Sequence, residues 1–137
     1  MNIKKNKSGF TLLEIIIVII IIGVLASLAL PRLFSTVEFS RSTEALSAIA
    51  SIRSSMERCY LANAAYSSCG SFANIDIDDP AGSPGSHFTY GFTTSTSDYT
   101  IIAGRNSIDG GNTADTVFVS QVGTGITRGG TGAFAAL

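Results

Sequence analysis

From Phe10 to Leu30 the chain reads FTLLEIIIVIIIIGVLASLAL, apolar at 17 of 21 positions. At about 1.5 Å per residue this makes a helix of about 31 Å, close to the hydrocarbon thickness of a bilayer, and predicts one membrane-spanning helix. Pro31 lacks an amide hydrogen and crowds the carbonyl four residues back, so a kink is expected near residues 27–31, with Gly23 a second weak point. Beyond Pro31 the apolar residues thin to a stripe. Ala45, Ile49, Ile52, Met56 and Tyr60 recur at spacings of 4, 3, 4 and 4, while Ser47, Ser51, Ser54, Ser55 and Arg58 occupy the other side. That pattern predicts an amphipathic helix ending near Leu61–Asn63, one side on a core and the other toward solvent or a neighbouring subunit.

The period then shortens to two. Phe88, Tyr90 and Phe92 alternate with Thr89, Gly91 and Thr93; Tyr99, Ile101 and Ala103 alternate with Thr100, Ile102 and Gly104; Asp115–Val122 supplies Val117, Phe118 and Val119. Three strands are expected. The link Thr94-Ser95-Thr96-Ser97 makes the first pair an antiparallel hairpin, and the glycine-rich stretch Gly104–Ala114 joins the second pair. The sheet must bury one face, and the stripe Ala45–Tyr60 is the only long apolar surface available to it. The fold class is therefore α+β: a long N-terminal helix, half membrane-spanning and half amphipathic, packed under a small antiparallel sheet. The divisions are a basic leader over 1–9, the spanning helix over 10–30, the amphipathic helix over 31–62 and a β head over 63–137.

Composition narrows the function. Outside Phe10–Leu30 the chain is only about 39 % apolar, a core of the size that often needs outside help to stay folded. Charged residues make up 14 % and the formal net charge is −1, so bulk charge indicates no nucleic-acid partner. His87 is the single histidine, and no nucleophile stands with a base, so no enzyme is expected. Lys4, Lys5 and Lys7 precede the apolar block without an acid, whereas Arg32, Glu38 and Arg41 follow it. The positive-inside rule then leaves the N-terminus in the cytoplasm and exports the rest. A secretory signal peptide competes, since Ser27-Leu28-Ala29 loosely fits a cleavage site, but its apolar region is only about 7–15 residues long. A plain signal anchor fits the length. Neither accounts for Glu14, an acid inside an apolar block that offers no cationic side chain to pair with it. The cation that chemistry allows is an α-amino group, created by a cut just before Phe10.

Lys7-Ser8-Gly9-Phe10-Thr11-Leu12-Leu13-Glu14, the isoleucine-rich run and Pro31 together resemble the class III signal of type IV pilins and of the pseudopilins of type II secretion systems. The resemblance implies that an inner-membrane prepilin peptidase cuts after Gly9 and methylates the amine of Phe10. It also implies a homo-oligomeric helical filament, raised by an inner-membrane platform with an ATPase, in which Gly23–Pro31 is where the helix loosens. Phe10 and Glu14 stand four apart on one helical face, so the new ammonium pairs with the carboxylate in its own chain or a neighbour's. Before assembly the chain would cross the inner membrane once, with its head in the periplasm; the filament itself would be extracellular or periplasmic. The alternatives are a major pseudopilin of a type II system and, from another class, a membrane-anchored monomeric binding domain.

Cys59 and Cys69 lie ten positions apart in an exported segment, where two cysteines form a structural disulfide. The spacing is no Cys-x-x-Cys redox motif, and two cysteines are too few for zinc. Typical pilins close a segment nearer the C-terminus, so adhesion or receptor roles do not carry over to this short loop. Asp109, Asn112 and Asp115 are a calcium candidate, the resemblance to major pseudopilins pointing to this part of the head. They are also ordinary residues of a tight polar loop and lack the twelve-residue calcium pattern, so no cofactor is expected. Asp76, Asp78 and Asp79 read as a solvated acidic loop, His87 as a strand-edge residue, and Gly123-Thr124-Gly125 and Gly129-Gly130 as glycine clusters without a phosphate-binding lysine.

Overall fold

The computed structural model describes residues 10–137. Helix α1 runs from Leu12 to Asn63 and stays helical through Gly23 and Pro31. Strands β1 (Phe88–Thr94), β2 (Tyr99–Arg105), β3 (Thr116–Val122) and β4 (Gly125–Gly130) follow. They form one antiparallel meander in the order β1-β2-β3-β4. The fold is α+β, one long helix and a small antiparallel sheet. The chain divides into two compact units, one up to Thr36 and one from Val37 to Leu137.

In the first unit seventeen large apolar side chains between Phe10 and Phe34 are 40–85 % exposed. Burying a side chain of this kind fully is worth about 1.5–3 kcal/mol, so the unit carries tens of kcal/mol of unrealised burial. An apolar surface of that size belongs in lipid or against other helices.

The second unit closes on itself. Ala45, Ile49, Ile52 and Met56 of α1 are buried with Phe88, Tyr99, Ile101, Ala103 and Val117 of the sheet. Tyr60 stacks on Tyr66 at 4.4 Å, and Tyr66 meets Tyr99 edge-on at 4.8 Å. Burial and then the Glu57 carboxylate push the Tyr66 hydroxyl up to about 12, so it remains a donor to Glu57. Cys59 and Cys69 are joined, which ties the last turn of α1 to the short helical turn Tyr66–Cys69. Replacing both cysteines with serine is expected to cost about 2–3 kcal/mol, by the loop-closure account of a ten-residue link. Thermal melts of the detergent-solubilised chain read this directly, and an unchanged melt would contradict a stabilising bridge.

Three expectations are corrected. The sheet has four strands, not three: β4 pairs Val119 with Arg128 and Gln121 with Ile126. Bulk is excluded at its last two residues; a Cβ on Gly129 would lie 2.8 Å from the Phe118 ring and one on Gly130 2.4 Å from the Phe134 carbonyl oxygen. Ser55 is buried and bonded to Asp76, so it does not belong to the exposed side of α1. Asp76 in turn is no free loop acid. Arg58 donates to both of its oxygens at 2.7 and 2.8 Å, and these bonds together with that of Ser55 hold its carboxyl far below the usual carboxylate range.

Candidate functional site

At the start of α1, Thr11 and Glu14 cap the helix reciprocally. The Glu14 amide donates to Thr11 Oγ1 at 3.2 Å, and Glu14 Oε2 accepts from the Thr11 amide at 2.8 Å and from its hydroxyl at 2.9 Å. This is the capping box of a Thr followed three residues later by a Glu. The carboxylate therefore lies back toward Phe10, beside the orphan amides of the first turn, where negative charge is favoured. Gly9 and the leader lie outside the described residues, and Phe10, in the uncut chain, carries an amide rather than an ammonium. No cationic side chain lies within ion-pair distance of Glu14 among the described residues. The helix N-terminus thus holds a carboxylate folded back onto the amide and hydroxyl of Thr11.

The head carries a second charged cluster. Arg105 ends β2 with its side chain wholly buried, donating from Nε and Nη2 to the two oxygens of Glu38 at 3.0 and 3.2 Å. Its remaining donors reach the carbonyls of His87, Asn106 and Ile108 at 3.0–3.1 Å. Gly111 makes room for it, since a Cβ there would lie 2.4 Å from the guanidinium carbon. These hydrogen bonds, more than burial opposes them, hold the Glu38 carboxyl below its usual value. Arg41 joins Glu38 at 3.2 Å and Asp109 at 3.3 Å. His87 lies between Glu44, 2.9 Å from Nδ1, and Asp109, 3.2 Å from Nε2, so it links α1 to the loop after β2 and is more than a strand-edge residue.

That cluster separates the calcium candidates. Asp109 faces Arg41 and His87, while the Asn112 side chain donates to Asp115 at 3.2 Å. Among the described residues no group of three or more His, Cys, Asp or Glu side chains gathers where it could hold a metal ion.

A prokaryotic N-terminal methylation motif matches residues 4–30. The family described as "Type IV minor pilin ComP, DNA uptake sequence receptor" matches residues 31–116, well over half of the chain, and the chain belongs to that family within the type IV pilin and pseudopilin superfamily. Such proteins are structural subunits, not enzymes. The chain is 33 % identical over 81 residues to the type II secretion system core protein G of Aeromonas hydrophila, covering 59 % of this chain and 57 % of that protein. It is 47 % identical over 63 residues to core protein G of Pectobacterium carotovorum subsp. carotovorum, 46 % of this chain and 40 % of the relative. The type IV major fimbrial protein FimA of Dichelobacter nodosus is 36 % identical over 58 residues, 42 % and 37 % of the two chains. The chain thus spans about half the length of the curated relatives it matches. No solved structure matches it.

Proposed function

We propose that this chain is a structural subunit of a type IV pilus-like filament, cut between Gly9 and Phe10, methylated on Phe10, and assembled by bundling of the apolar half of α1. The observation that carries this reading is the first unit: seventeen exposed large apolar side chains with a single carboxylate, Glu14, aimed toward the N-terminus. A filament core covers that surface and supplies the amine. Before assembly the same surface fits a membrane anchor, α1 being long and apolar enough to span a bilayer, with the basic leader inside and the head outside.

The head's match to a type IV minor pilin family favours a pilus over a secretion pseudopilus. The core protein G relatives favour the second reading, a major pseudopilin. The matched family's description includes a DNA uptake sequence receptor, a role that the acidic balance of this head does not favour. From Val37 onward the head holds five arginines against nine acids. Arg41, Arg58 and Arg105 are held in ion pairs of 2.7–3.3 Å, which leaves Arg53, with a single 3.9 Å contact to Glu57, and Arg128 as the less neutralised cations among the described residues.

Intact-mass analysis of filaments sheared from cells is expected to show loss of residues 1–9 and one added methyl on Phe10. A retained leader in assembled material overturns the proposal. Deleting the gene separates the branches: loss of surface filaments with secretion intact marks a pilus, and loss of secretion marks a pseudopilus.

A further inference from the structure

β4 extends beyond the cover of α1. On its inner face Ile126 and Arg128 stand opposite Gln121 and Val119 of β3, and both remain exposed. The overhang leaves an open groove of about 400 Å³, with Leu46, Ile49 and Ala50 of α1 on one side, Ile126 on the other and Val119 between. Arg53 and Arg128 also line it. Arg128 has no carboxylate within ion-pair distance among the described residues. Arg53 has only a 3.9 Å contact with Glu57, whose oxygens already accept from Tyr66 and Tyr99. An apolar trough with two under-neutralised guanidiniums therefore sits in a head whose arginines and acids sum to −4.

The opposite flank of α1 is its complement. There Ser47, Ser51 and Ser54 face the segment that carries Asp76 and Ile77, and Ala50 is the wall common to both flanks. The three acids of this segment are not equivalent. Asp76 is taken by Arg58 and Ser55, and Asp79 accepts from the Ala81 amide. Asp78 is exposed and makes neither hydrogen bond nor ion pair among the described residues. The head thus presents an unpaired carboxylate next to a half-buried isoleucine on one flank, and an apolar groove with an unpaired cation on the other.

We infer that the Arg53–Arg128 groove of one copy receives the Ile77–Asp78 edge of a second copy. Each copy uses its groove on one neighbour and offers its Asp78 to the next. The contact is heterologous, and a heterologous contact that does not close into a ring propagates as a helical fibre. Between acidic heads, which otherwise repel, it is the junction where a carboxylate meets under-neutralised guanidiniums. The inference rests on the filament reading above and adds the side-to-side contact of the heads to it.

Charge reversal in the full chain tests it. Asp78→Arg and Arg128→Asp, each alone, are expected to lower sheared filament yield roughly tenfold, as coupled charge pairs of this kind do. Membrane levels of the chain should not change, and the double variant should regain most of the yield. As a second measurement, Asp78→Cys combined with Arg128→Cys is expected to give an oxidation-dependent ladder of dimers, trimers and higher species, while either replacement alone gives none. Unaffected reversals, no rescue, or no ladder while wild-type filaments form would overturn this contact and leave the filament reading standing. Absence of wild-type filaments overturns that reading and this contact with it.

Discussion

Glu14→Ala is expected to insert and to be processed as the wild type is, yet to yield no filaments. An apolar residue at this position makes membrane insertion easier, because an acid in a spanning helix costs up to about 2.5–3.5 kcal/mol. On the proposed reading, what disappears is the counter-charge for the Phe10 ammonium in the filament core. Breaking a buried pair from one side costs about 3–5 kcal/mol, enough to stop reversible incorporation of subunits. Because Glu14 also caps α1 through Thr11, part of the effect has a second source, worth only about 1 kcal/mol. Glu14→Gln separates the two: glutamine serves in a capping box but carries no charge. An intermediate yield from Gln, with normal membrane levels in immunoblots, supports charge pairing. Wild-type yield from Gln reduces Glu14 to a helix cap, and wild-type yield from Ala removes both roles.

Arg105→Met is expected to destabilise the head by about 3–5 kcal/mol, the penalty for removing one partner of a buried ion pair. Three backbone carbonyls lose their donor as well, and Glu38 keeps only Arg41. For a unit of about 100 residues this lowers the melting temperature by at least roughly 12 °C. The pH dependence changes too. In the wild type the Glu38 carboxyl is held below its ordinary value, so its contribution is fully present above about pH 4.5 and is lost as pH falls through the lowered value. In Arg105→Met that contribution shrinks, and the acid side of the stability profile should flatten. Melts of the full chain from pH 3 to 7 measure both effects; a melting temperature within about 2 °C of wild type would mean that Arg105 is dispensable.

Legibility in the sequence followed how local each signal was. The spanning segment and the stripe Ala45–Met56 declare themselves by periodicity, and β1 and β2 by alternation. β4 has none of these signals, because only Ile126 is a large apolar residue in Gly125–Gly130, and Gly129 and Gly130 answer to Phe118 and Phe134. Arg105 carries a signal of a different kind. Period two places it on the same face as Tyr99, Ile101 and Ala103, which marks it as buried, but its partner Glu38 lies 67 positions away and cannot be named from pattern alone. Asp76 and Ser55 are likewise joined only by the fold, 21 positions apart. The capping box needs no fold at all: Thr11-x-x-Glu14 before an apolar run is its signature.

The capping box also bears on how the leader would come off. The first hydrogen bonds described for α1 fall on Thr11, whose carbonyl accepts from the Ile15 amide and whose side chain and amide close the cap. The Gly9–Phe10 bond lies upstream of all of them, and Phe10 is not helical. Among the described residues, the cap and the first backbone hydrogen bond of α1 all lie on the C-terminal side of that bond. The cap is thus built wholly from residues that the proposed mature chain, starting at Phe10, would keep: a start for the helix that does not depend on the leader's side chains.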